Sequence, residues 1–80
     1  MKVRIEEKDY VGTPVEIMEQ LRQETNRSFR STGEYIRFVQ DNYQRVTGQP
    51  CPLDGGSTEL RAESLIRRLA AVHALEIMEE

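Results

Sequence analysis

The sequence predicts an α+β fold, mainly helical, with an N-terminal β-hairpin, three α-helices and a short C-terminal strand. Three observations carry this reading. Apolar residues alternate at the N-terminus, three later stretches repeat them at helical spacing behind hydroxyl caps, and that spacing breaks just after His73.

Lys2 to Glu6 put Val3 and Ile5 on one face and Arg4 and Glu6 on the other, the alternation of a half-buried strand. Glu7-Lys8-Asp9 is a polar turn in this reading, and Tyr10-Val11 is the returning strand. Neither Asn-Gly nor Asp-Gly is present to fix the turn type. Thr13-Pro14-Val15-Glu16 then supplies an N-cap hydroxyl, a proline at the first helical position and a glutamate able to reach back to the cap. A first helix is expected over about 14–25, burying Ile17, Met18 and Leu21.

Asn26 to Arg30 form a polar connection that contains Phe29. Ser31 or Thr32 caps a second helix over 32–47; if Ser31 does, Glu34 stands where it would close another capping box, and Gly48 suits a left-handed stop. Tyr35, Ile36, Val39, Tyr43 and Val46 share one stripe of this helix, whereas Phe38 points towards Glu34, Asp41 and Arg45. Arg37, Asp41 and Arg45 are spaced for successive i,i+4 ion pairs on a solvated face. Gln49 to Ser57, with Pro50, Pro52, Gly55 and Gly56, is a surface connection. The third helix, over 58–73, aligns Ala62, Leu65, Ile66, Leu69, Val72 and His73. Continued further, it would set Glu76 in the middle of that apolar face. The chain is therefore expected to leave the helix near His73 and to finish as a strand in which Leu75 and Ile77 alternate with Glu76. One continuous helix to Met78 is the alternative.

Eighty residues, 38% hydrophobic and 31% charged, fit one small globular domain over 1–80. A chain of this size builds a thin core, and a self-complementary partner surface would add burial. No apolar run suffices for a membrane span, and no apolar segment follows Met1-Lys2-Val3-Arg4-Ile5 as a secretory signal requires. A single cysteine fits a reducing compartment, so the expected location is cytoplasmic. The net charge is −3, yet residues 22–50 carry five arginines against Glu24, Glu34 and Asp41.

The residues that do chemistry are scarce. Cys51 and His73 are each the only one of their kind, so a four-ligand metal site would depend on carboxylates at no recognisable spacing. Neither residue has a visible activator. Cys51 is expected to be an incidental loop thiol and His73 a helix-end residue. Gly55-Gly56-Ser57-Thr58 lacks the lysine and the preceding strand of a phosphate loop and serves as flexible glycines with a capping hydroxyl. No catalytic residue, metal or cofactor is expected, and the chain is not expected to be an enzyme.

Two binding readings follow. Residues 14–47, two helices joined through Glu24-Thr25-Asn26-Arg27-Ser28 and continuing into Glu34-Tyr35-Ile36-Arg37-Phe38-Val39, resemble a ribbon-helix-helix DNA-binding repressor. That resemblance implies an N-terminal strand paired between two subunits, with Lys2 and Arg4 projecting into the major groove. Arg27 and Arg30 could take phosphates. The sequence departs from the family by inserting Glu7 to Thr13 ahead of the first helix and by a long connection from Asn26 to Thr32. The leading expectation is instead a small cytoplasmic interaction or accessory module that meets a protein partner or self-associates as a homodimer. Its contact surface is the Phe38 side of the second helix, with Arg45 and Phe29, because aromatic and arginine side chains anchor interfaces.

Overall fold

The computed structural model describes residues 1–53 and 55–80. It has the expected architecture: β1 (Lys2–Ile5), β2 (Lys8–Val11), α1 (Pro14–Glu24), α2 (Thr32–Thr47), α3 (Thr58–Ala71) and β3 (Glu76–Glu79). The three strands form one antiparallel sheet in the order β2-β1-β3, so the first strand is central. Val3 faces Tyr10 on one side and Ile77 on the other. Met78 is skipped in the β1–β3 ladder, because Lys2 pairs with Glu79 while Val3 pairs with Ile77.

The hairpin turn lies one residue earlier than expected. Ile5 pairs with Lys8, which leaves Glu6 and Glu7 as a two-residue loop with φ of 49° and 72°. Positive φ at both positions is the requirement of a type I′ turn, whose twist matches the flanking strands. Lys8 and Asp9 therefore belong to the second strand, where Asp9 faces Arg4. No local residue signals this turn; cross-strand pairing imposes it.

α1 begins with the full capping box: the Glu16 amide donates to Thr13 Oγ1 at 3.2 Å, and the Thr13 amide donates to Glu16 Oε1 at 2.8 Å. Gly12 precedes it at φ 145°, and an added Cβ there would meet Glu16 Cβ at 3.0 Å. A side chain at Gly12 would thus collide with the residue that closes the cap. In α2 the Glu34 amide donates to Ser31 Oγ at 3.1 Å, but the reciprocal bond, from the Ser31 amide to the Glu34 carboxylate, is not formed. Gly48 ends that helix in the left-handed region at φ 70°.

α3 stops as its lost periodicity demands. The His73 amide donates to the Ala70 carbonyl at 3.1 Å and the Ala74 amide to the Leu69 carbonyl at 2.9 Å, the paired bonds of a Schellman motif. His73 occupies the left-handed position, φ 62°, that glycine usually takes. The chain then turns back through buried Leu75 into β3.

α1 and α3 adjoin the sheet, and α2 packs against both helices without adjoining a strand. The core joins Val3 and Tyr10 of the sheet to Ile17, Met18, Ile36, Tyr43, Ala62, Leu65 and Ile66 of the helices, closed by Cys51 and Leu75. Three expectations about faces are corrected. Val46 is 84% exposed, because it lies in the last turn of α2 beyond the packed part of the stripe. Val72 and His73 are exposed, because the Schellman turn swings them off the α3 face. Cys51 is not an incidental loop thiol but part of the core at 1% exposure. Gln40 Nε2, donating to the Cys51 carbonyl at 2.6 Å, and Arg68 Nε, donating to that of Pro52 at 2.9 Å, hold its loop down.

Candidate interaction surface

An aromatic cluster lies outside the core, where the α1–α2 connection meets α2. The Phe29 and Phe38 ring centroids are 5.1 Å apart, and Phe29 meets Tyr35 edge-on at 5.2 Å. The Arg27 guanidinium lies over the Phe38 ring, 4.7 Å from its centroid. Tyr35 bridges this cluster to the core, which neither phenylalanine joins. Burial is also the main reason the Tyr35 hydroxyl titrates above its ordinary range. Phe29 and Phe38 are both half-buried, shielding each other while keeping part of their surface in water.

Phe38 is therefore not a bare ring among charges as the helical wheel places it. Phe29 folds back against it and Arg27 covers one face. The connection is held in that place by polar anchors from α1. Arg22 donates to Glu19 Oε1 at 2.6 Å and to the Phe29 carbonyl at 2.8 Å, while the Thr32 hydroxyl donates to the other oxygen of Glu19. The bond from Thr32, followed by that from Arg22, keeps the Glu19 carboxyl below its ordinary range. These donors and acceptors fix a loop that has no regular structure of its own.

Of the residues expected at this surface, the fold brings Phe29 and Phe38 together but leaves Arg45 out of the ring cluster. Arg45 donates to Asn42 Oδ1 at 2.6 Å, and Arg27 takes the place over Phe38. From sequence Arg27 offers only a phosphate contact, since its approach to Phe38 depends on loop closure and leaves no periodic trace. The ion pairs expected from Arg37 to Asp41 and from Asp41 to Arg45 are not formed. Among the described residues, Arg27, Arg30, Glu34 and Asp41 also have no ion-pair partner.

The strand residues that the repressor resemblance would aim at DNA are engaged within the sheet. Arg4 Nε donates to Asp9 Oδ1 at 2.7 Å and Lys2 Nζ lies 3.7 Å from Asp9 Oδ2. The hydrogen bond and charge of Asp9, with a smaller contribution from Glu76, raise the Arg4 pKa. Because β1 is flanked by β2 and β3, neither of its edges is open to a partner's strand. The intersubunit ribbon that the resemblance implies does not form here, since the inserted residues Glu7 to Thr13 include an intramolecular strand in its place.

Cys51 and His73 occupy different settings. Burial pushes the Cys51 thiol up, only partly opposed by Arg68, which disfavours the thiolate. His73 is exposed and lines an open cleft with Arg4, Glu6, Glu7 and Glu76. Ser57 Oγ caps α3 by accepting from the Leu60 amide at 3.2 Å. Among the described residues there is no group of three or more His, Cys, Asp or Glu placed to hold a metal ion, and no helix long and apolar enough to cross a membrane. Comparison with protein families, with characterised proteins and with solved structures finds no match to this chain.

Proposed function

We propose that this protein is a small cytoplasmic protein-interaction module, without enzymatic activity, that self-associates through the Phe38 side of α2. The observation that carries the reading is the Phe29–Phe38–Arg27 cluster: two rings and a guanidinium in contact, outside the core, each keeping part of its surface in water. Aromatic and arginine side chains supply most of the binding energy where proteins meet, and rings already fixed in place lose little freedom on docking. The loop carrying Phe29 is fastened by Arg22 and Glu19 before any partner arrives. A thin core also makes added burial in a dimer favourable.

Light scattering over a concentration series tests the reading. The wild-type chain moves towards twice the monomer mass as concentration rises, and Phe38→Asp stays monomeric while keeping its helical circular dichroism. A wild-type chain that remains monomeric throughout rules self-association out.

A further inference from the structure

We infer that residues 26–30 form a strap that opens as one unit while the rest of the fold stays closed, with the Glu19 carboxylate as its catch. The inference stands whether or not the chain self-associates.

The strap is separable because it supplies nothing to the interior. Asn26, Arg27, Ser28 and Arg30 are exposed, and Phe29 is half-buried against Tyr35 and Phe38, outside the core. Among the described residues, 26–30 make no backbone–backbone hydrogen bond. The helices on either side, α1 and α2, pack on each other directly and do not need the strap to stay together. A segment with little buried surface and no backbone ladder opens at a fraction of the free energy of global unfolding. The connection over 49–53 is built the opposite way. Cys51 sits in the core at 1% exposure, and Gln40 and Arg68 hold the Cys51 and Pro52 carbonyls, so opening there empties a core position.

What holds the strap closed converges on one side chain. Glu19 Oε1 accepts from Arg22 at 2.6 Å, and Glu19 Oε2 accepts from the Thr32 hydroxyl at the start of α2. The same Arg22 donates to the Phe29 carbonyl at 2.8 Å. One carboxylate thus ties down the residues beyond the strap directly and its middle through Arg22. The other side-chain bond to the strap backbone, from the Arg27 amide to Thr25 Oγ1 at 3.5 Å, is long and local. Arg22 and Glu19 keep 26% and 33% of their side-chain surface in water, which competes for both and lets the catch release.

Closed is the resting state, and opening is a minor excursion from it. Opening lifts Phe29 and Arg27 off Phe38 and bares that ring on α2. The strap therefore sets how much of the Phe38 ring a partner meets.

Limited trypsin digestion of the full chain, dilute enough to be monomeric, tests the inference. Arg27 and Arg30 lie in the strap, and cleavage follows the population of the opened segment. The first cuts fall after Arg27 or Arg30, and the nicked chain keeps its helical circular dichroism. Glu19→Gln preserves size, removes the charge and speeds those cuts by about fivefold or more, with cutting after Arg37, Arg61 and Arg67 unchanged. Thr32→Val leaves the Glu19–Arg22 bond in place and gives a smaller acceleration at the same two sites; it carries the test if Glu19→Gln does not fold. Cuts that begin elsewhere, that quicken in neither variant, or that quicken equally at every site overturn the strap. Self-association is read separately by light scattering, so such a failure leaves the interaction reading standing.

Discussion

The Arg22 guanidinium bonds at once to the Glu19 carboxylate and to the Phe29 carbonyl, at 2.6 and 2.8 Å. One side chain of α1 thereby sets where the first ring of the proposed surface stands. A planar fork can span two acceptors; an ammonium in its place holds one of them poorly. Arg22→Lys is expected to lower unfolding stability by about 1–2 kcal/mol, the scale of a charge-assisted hydrogen bond. It also weakens self-association, because Phe29 is no longer held. Urea unfolding and light scattering on the same variant check both effects.

The Glu6-Glu7 turn is a second target. Both residues hold a left-handed backbone that side-chain-bearing residues enter at a cost of roughly 1–2 kcal/mol each. Replacing them with Asn-Gly gives the type I′ turn its preferred residues and removes two adjacent like charges. Stability in urea is expected to rise by about 1–2 kcal/mol with no change in association.

His73 makes the same case at a helix end. It sits in the Schellman position at φ 62°, exposed, with no side-chain hydrogen bond or ion pair among the described residues. His73→Gly is expected to stabilise by about 1 kcal/mol, and His73→Val to destabilise, since a β-branched residue tolerates that backbone least. Thermal melts of the two variants should move in opposite directions.

Much of this fold was legible in local sequence. Thr13-Pro14-Val15-Glu16, Ser31 and Gly48 act on their immediate neighbours, and so mark helix ends without knowledge of the tertiary structure. The clash of Glu76 with the α3 apolar face likewise announced the exit at His73. What escaped was non-local. Glu6 and Glu7 are poor turn residues, and register alone puts them there. Cys51 lies between prolines in an irregular segment, where burial follows from the packing of α2 and α3 around it. Arg27 reaches Phe38 across eleven positions of sequence because Arg22 pins the loop between them. The approach of Lys2 and Arg4 to the one Asp9 carboxylate needs the β1–β2 register, which no single strand reveals.

The carboxylates predict a pH response. Asp9, Glu16, Glu19, Glu24 and Glu80 all titrate below their ordinary values, chiefly through hydrogen bonds to Arg4, Thr13, Thr32, Lys8 and Arg67 respectively. A folded-state pKa below the unfolded one contributes stability that is present above the unfolded value and lost as pH falls through the folded one. Stability should therefore hold near neutrality and decline as pH drops below about 4.5, the ordinary glutamate value. Glu19→Gln should flatten part of that decline, seen as a smaller difference between urea midpoints at neutral and acidic pH.

The central claim is that the ring cluster is a contact surface, and amide NMR on serial dilution tests it at residue resolution. The account predicts that the concentration-dependent shifts concentrate at residues 27–30 and 34–41, and that they vanish in Phe38→Asp. Shifts confined to the β2 or β3 edge of the sheet, or spectra unchanged by concentration, would contradict it.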